Sequence, residues 1–350
     1  MDLFDLPSEA FIEPSVALPS VIARADSVPA FAPASFASVL RGDSPASVYD
    51  ARLNNPAEFA PGSLLRARRF WESVIIPSDH AYRQFALDTL GDVRPCTLFK
   101  HFKGTFEGVD YDDPLPPPRA FHNYGLDQLV STGQSARDWI ADELRSRLRS
   151  GTVRRWGSDP YDACIGDTPI VVNPLSVEPS KPRLITAMCY VNCWAVSHSF
   201  FPGLLNYPTE VPGLFGRRPM FTGIDFKSHY GHYSLHVSTQ PYFGFRFDLG
   251  DGPEYFVLTA GGFGFALWCF IANLHRYLLM RFCWRHGVCS LGFFDDCLLG
   301  PRRLRVAPDR DWTMPLRCHE SVYIFLMVAG ACGYYVSFRK CDFFPSWELK

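Results

Sequence analysis

This 350-residue sequence predicts an α+β fold in which strands and helices are mixed rather than regularly alternating. Three observations carry that expectation. Short apolar stretches of strand length occur at residues 170–172, 183–186, 221–225, 243–247 and 255–258. A long apolar element over residues 266–286 reads as a buried helix, with Gly287 as its C-terminal stop. Finally, Leu291-Gly292-Phe293-Phe294 and Cys297-Leu298-Leu299 flank Asp295-Asp296, which reads as a β-hairpin with two carboxylates at its tip.

From the N-terminus, residues 1–62 are rich in Pro, Ala and Ser and lack apolar periodicity, so a disordered or loosely held arm is expected. Residues 63–120 read as a short helical segment opened by Arg66, Arg68 and Arg69 and closed by a Pro-rich extended linker over 110–118. The main domain is expected over 121–350. Residues 138–150 read as a helix, with Ile140, Leu144 and Leu148 on one face and Gly151 as the stop. Its other face carries Arg145 and Arg149, which with Arg147, Arg154 and Arg155 offers contacts to phosphates or a solvated helix face. A helix over 320–330 and a strand over 334–338 close the pattern.

Charge is uneven: residues 1–120 carry 11 Lys and Arg against 16 Asp and Glu, and the remainder 23 against 20. That balance permits a polyanionic partner through local patches. The 11 cysteines are scattered, without a Cys-x-x-Cys pair, and no basic segment leads into an apolar signal core. An intracellular setting, cytoplasm or nucleus, is expected. Cys189, Cys193 and His198 offer three zinc donors without an evident fourth, at a spacing that also suits one helix face. The apolar stretch 263–284 is interrupted by Asn273, His275, Arg276 and Arg281, so a buried helix is expected rather than a membrane span.

The chemistry concentrates on carboxylates. Adjacent ionised Asp295 and Asp296 between apolar walls call for a compensating cation, although an exposed acidic turn is the simpler explanation of the pair alone. Asp225 ends another apolar strand and would meet the hairpin if the two strands pair. Three such carboxylates can hold two Mg²⁺ ions for an in-line displacement at phosphorus. His229, His232 and His236 follow closely and read as structural rather than metal-binding.

In order and spacing, these residues resemble the reverse transcriptases from about residue 138 to the end. Pro174-Leu175-Ser176-Val177 and Lys181-Pro182-Arg183-Leu184-Ile185, ending at Asn192, look like the fingers segment. Asp225-Phe226-Lys227-Ser228-His229-Tyr230 looks like motif A, and Thr259-Ala260-Gly261-Gly262-Phe263-Gly264-Phe265-Ala266-Leu267-Trp268-Cys269-Phe270 resembles motif B. Phe293-Phe294-Asp295-Asp296 is similar to motif C. Gly333-Tyr334-Tyr335 through Arg339-Lys340-Cys341 and Pro345-Ser346 looks like motif D. Gln240-Pro241-Tyr242-Phe243-Gly244-Phe245 looks most like DIRS-type retrotransposon enzymes, beside the gypsy-like group.

The resemblance implies a right-hand polymerase with fingers and a ferredoxin-like palm sheet carrying helices on one face. It implies RNA-directed DNA polymerase activity of a mobile element, with RNA or DNA template, primer and deoxynucleoside triphosphates as partners. Two Mg²⁺ ions, replaceable by Mn²⁺, would be held by Asp225, Asp295, Asp296 and the Phe226 carbonyl. Lys181 and Arg183 would neutralise the triphosphate, Tyr230 would exclude a ribose 2′-hydroxyl, and Gly262 would allow close backbone approach to the nucleotide. Lys340 would protonate leaving pyrophosphate.

The sequence departs from the family at Ala187 and Cys189, where an Asp and an Arg are usual, and in motif B, where two prolines are absent. It stops at Lys350, where relatives continue into primer grip and thumb, so a thumb is expected to be absent and sustained synthesis by these residues alone is not expected. Two alternatives stand beside the polymerase reading. One is an inactive remnant that at most binds nucleic acid. The other is an RNA-dependent RNA polymerase, against which Tyr230 argues.

Overall fold

The structure, a computed structural model, describes residues 61–161, 170–198, 221–293, 296–301, 314–337 and 340–346. The N-terminal arm up to residue 60, Phe294 and Asp295 of motif C, and Arg339 of motif D lie outside the described residues.

In chain order, short helices α1 (Ser63–Arg66) and α2 (Arg68–Phe70) run into a π-helical turn, Trp71–Ile75, followed by α3 (Arg83–Asp88) and α4 (Pro95–Leu98). A hairpin of β1 (Phe102–Phe106) and β2 (Val109–Asp113) precedes α5 (Ala136–Ser150) and β3 (Val153–Gly157). Then come β4 (Val172–Asn173), β5 (Leu175–Glu178), β6 (Arg183–Thr186), α6 (Cys189–Asn192) and β7 (Phe221–Asp225). After β8 (Gly244–Asp248) and β9 (Pro253–Leu258) follow α7 (Leu267–Arg285), β10 (Val288–Phe293), β11 (Asp296–Pro301), α8 (Met314–Ala331) and β12 (Asp342–Ser346).

Local chemistry accounts for the long helices. The α5 N-cap is Ser135, whose hydroxyl accepts from the Asp138 N–H at 3.1 Å, and Gly151 closes the helix at φ 72°. Ala136, Ile140 and Leu144 form its buried stripe. Helix α7 is apolar nearly all round and is buried accordingly, with Gly287 (φ 83°) at its exit. Among the described residues no helix is long and apolar enough to cross a membrane.

Two four-stranded sheets organise the chain. One has the spatial order β10-β11-β7-β12, with every pairing antiparallel. Its connectivity, β7 to α7 to β10 and β11 to α8 to β12, is the split βαβ pattern, with β8 and β9 inserted between β7 and α7. Both helices pack against this sheet. The second sheet, β3-β9-β8-β4, stacks Phe245 on Phe256 as a cross-strand pair with ring centroids 5.7 Å apart. The hairpin of β5 and β6 stands beside it.

Two expectations are corrected. The segment 63–120 carries short helices, as read, but its Pro-rich end is no free linker, because β2 occupies Val109–Asp113 and the stretch packs into the main core. Trp71 is wholly buried, donates its indole N–H to the Cys332 carbonyl at 2.9 Å and meets His275 edge-on. Phe102 and Phe106 of β1 pack on Trp194 and Tyr190, and the Arg119 guanidinium covers Phe121 and Tyr190. Aromatic side chains gathered in this way remove too much apolar surface from water for the segment to stay extended in solvent. Among the described residues, the strand expected over 334–338 shows one bridge, Val336 to Phe226, and pairing with β7 is seen again at β12. Gly333 (φ 88°) turns the chain there, and a Cβ on it would lie 2.4 Å from the Ser63 carbonyl oxygen.

Candidate active site

The register of β7 against β11 sets Asp225 opposite Asp296, and cross-strand partners project to the same face of a sheet. Asp225 is buried and Asp296 exposed, so one carboxylate is held by the fold and the other faces solvent. The Lys340 ammonium lies 3.2 Å from Asp225 Oδ2. Among the described residues no group of three metal-type donors assembles, Asp295 being outside them.

The end of β7 is braced from the α8 to β12 connection. Ser337 donates its N–H to the Asp225 carbonyl at 2.7 Å, and Lys227 donates to the Tyr335 carbonyl at 2.9 Å. Those two bonds flank the Phe226 to Val336 bridge, so the Phe226 carbonyl is directed to the other, β11, side of the strand. The Phe226 ring stacks on Tyr334 at 4.4 Å. Cys341 accepts from the Asp225 N–H through Sγ at 3.3 Å, and burial pushes its thiol far up.

The histidines beside motif A serve this bracing. His232 Nε2 accepts from the Tyr335 N–H at 2.9 Å, which leaves the proton on Nδ1 to donate to the His229 carbonyl at 3.0 Å. His229 is buried, and desolvation, then the charges of His232, Arg276 and His275, hold its imidazole well below the usual range. His236 lies farther out and bonds Ser238. Of the three zinc donors considered, Cys193 points Sγ at the Cys189 carbonyl and His198 stacks on Phe270 at 4.4 Å.

A second group joins the β5–β6 hairpin to motifs A and B. The Arg183 guanidinium lies 5.1 Å from the Phe263 ring centroid, and Phe263 meets Tyr230 edge-on at 5.3 Å. Tyr230 runs parallel to His229, and its hydroxyl is 3.5 Å from Cys269 Sγ. Asn192 clamps the glycine turn, donating to the Gly264 carbonyl and accepting from the Ala266 N–H, both at 2.9 Å. Lys181 stands exposed in the hairpin turn. The glycines of this turn are packed unevenly against the protein. A Cβ on Gly262 would touch only Leu258 at 3.2 Å, whereas one on Gly261 would lie 2.5 Å from the Tyr230 carbonyl oxygen and one on Gly264 1.6 Å from that of Thr186.

Sequence reasoning overlooked Phe263 and Arg276 as site residues. Arg276 is buried on α7, and its Nη1 lies 2.6 Å from where a Cβ on Gly292 would stand, directly beneath the hairpin. The legible signal was Gly292 itself, since a glycine inside a strand often marks close approach of another group.

No protein-family model and no curated protein matches the chain. Among solved structures it is similar to a foamy viral protease-reverse transcriptase, a dRH form in complex with double-stranded DNA, with TM-score 0.50 and 14% identity over 72% of this chain and 38% of that one. A second foamy viral protease-reverse transcriptase, in complex with dsDNA, gives TM-score 0.47 and 13% identity over 81% of this chain and 52% of the other. A third, in complex with an RNA/DNA hybrid, gives 0.46 and 13% over 70% and 28%. The chain thus spans between about a quarter and a half of the length of these chains. At such identity the likeness is one of fold. The chain has a mixed helix-and-sheet, reverse-transcriptase-like fold.

Proposed function

We propose that this chain is the fingers and palm of an RNA-directed DNA polymerase from a mobile element of the DIRS or gypsy-like kind. It would extend a primer on RNA or DNA template with deoxynucleoside triphosphates. The observation that carries the reading is the β7–β11 register, which sets Asp225 and Asp296 opposite each other, with motif C's Asp295 adjoining in sequence.

The donors suit a divalent ion. Carboxylate oxygens are the hard ligands that Mg²⁺ and Mn²⁺ prefer, and Asp225 already attracts the Lys340 ammonium. Asp225, Asp295, Asp296 and the Phe226 carbonyl would hold the metal, which when bound supplies charge neutralisation at the phosphates. The remaining roles fall to this chain's own side chains. Arg183 and exposed Lys181 would receive the triphosphate, Tyr230 would close the space that a ribose 2′-hydroxyl needs, and Lys340 Nζ would hold a proton for departing pyrophosphate.

The experiment is incorporation of labelled dGTP on a poly(rC) template with an oligo(dG) primer, in Mg²⁺ or Mn²⁺, by the full chain and by Asp225→Asn and Asp296→Asn. Incorporation that both substitutions abolish supports the reading. A second reading, a non-enzymatic chain with the same fold, is favoured by Ala187 and Cys189 in place of the usual ion pair. Template binding without incorporation, unchanged by Asp296→Asn, would establish it, and a preference for GTP would establish an RNA polymerase instead.

A further inference from the structure

We propose that Phe263 is the positioning residue that sets discrimination against ribonucleotides, an inference that rests on the polymerase reading above. Among the described residues it is one of the few large apolar side chains left exposed, at 37%. Its location is nonetheless fixed from three directions. Thr186 of β6 donates its N–H to the Phe263 carbonyl at 3.2 Å, within a bridge between Ile185 and Phe263. Gly264 follows at φ +118°, pressed so closely on Thr186 that no side chain fits, and Asn192 ties the turn on its far side. The phenyl ring is therefore presented by backbone that cannot drift.

That ring touches both groups that would read a nucleotide. Its face carries the Arg183 guanidinium at 5.1 Å, a cation–π placement that orients the fork. Tyr230 meets it at an interplanar angle of 81°. Tyr230 is otherwise backed by the parallel His229 ring, at 4° between planes, and by Cys269 at its hydroxyl. Phe263 is thus a wall of the Tyr230 site that belongs to a different motif and is itself partly exposed. If the wall recedes, the phenol ring gains room to yield before a 2′-hydroxyl, while Arg183 loses its platform. The first effect acts on the sugar and changes selectivity. The second acts on the phosphates, which deoxy- and ribonucleotides share, and changes affinity for both alike.

The two effects separate in kinetics. Chains carrying Phe263→Leu, Phe263→Trp or Arg183→Gln are compared with the unaltered chain on poly(rC) with oligo(dG), using dGTP and GTP. Phe263→Leu should lower the ratio of kcat/KM for dGTP over GTP by about two- to tenfold, the range expected for loss of one aromatic edge contact. Phe263→Trp, which keeps a ring, should restore the ratio, and Arg183→Gln should raise KM for both nucleotides without moving it. A ratio unchanged in Phe263→Leu, or lowered equally in Phe263→Trp, overturns the inference. So does loss of cooperative unfolding in Phe263→Leu, because the residue would then be structural. Should the unaltered chain incorporate neither nucleotide, the polymerase reading fails and this inference with it.

Discussion

Lys340 Nζ sits 3.2 Å from Asp225 Oδ2, across 115 residues of sequence, with the lysine side chain 57% exposed and the aspartate 8%. Lys340 is the cation set against the buried Asp225 carboxylate, and removing it takes that partner from a buried charge. Replacing Lys340 by Met is expected to lower the unfolding free energy by about 1 to 3 kcal/mol. The same substitution should tighten Mn²⁺ binding, because the competing charge is gone. Titration followed by electron paramagnetic resonance checks this, and weaker binding would show that Lys340 assists rather than competes.

The N-terminal helices are part of the core. Trp71→Ala removes a wholly buried indole and its hydrogen bond to Cys332, so a loss of about 3 to 5 kcal/mol is expected in urea unfolding. One cooperative transition, shifted as a whole, is the predicted form. A change under about 1 kcal/mol would mean that residues 61–120 are dispensable to the fold.

Glycines separate by what surrounds them. Gly108 (φ +76°) has nothing within 4 Å, so Gly108→Ala is expected to cost only the conformational strain, about 1 to 2 kcal/mol. Gly264→Ala drives a methyl into the Thr186 carbonyl and is expected to cost several times as much. Equal melting temperatures for the two variants would contradict the close packing of the motif B turn on β6.

Acid should weaken the fold through its buried histidines. Burial lowers His275 to about 4, against the opposing pull of the Ala86 and Ile271 carbonyls, and lowers His229 well below its ordinary value. In the unfolded chain both titrate near 6.5, so between about 4 and 6.5 the unfolded state binds more protons. Stability is therefore complete above about pH 6.5 and falls as pH drops towards 4, by about 1.4 kcal/mol per unit for each such histidine. Denaturation series between about pH 7.5 and 4.5 check the slope, which His275→Gln should reduce by one histidine's share.

Much of the secondary structure was legible. Strand β6 was read at its true bounds because Arg183-Leu184-Ile185-Thr186 has strand length and composition, and β7 because an apolar stretch ends abruptly at Asp225. Helix α7 was read to within a residue at each end, its length and Gly287 leaving no other assignment. The entrance segment was misread because the composition of residues 110–118, with Pro114, Pro116, Pro117 and Pro118, speaks for extension. The aromatics that bury it lie far along the chain at Tyr190 and Trp194.

The sequence alone determined the hairpin of β10 and β11 and the strand ending at Asp225, since each follows from periodicity and turn chemistry within a few residues, while the glycine turn before α7 was read from the family resemblance. Only the tertiary structure decided that Asp296 lies opposite Asp225, that Lys340 reaches that carboxylate and that Phe263 stands between Arg183 and Tyr230. These are relations among segments far apart in the chain, fixed by strand register and core packing, and nothing local in composition encodes them.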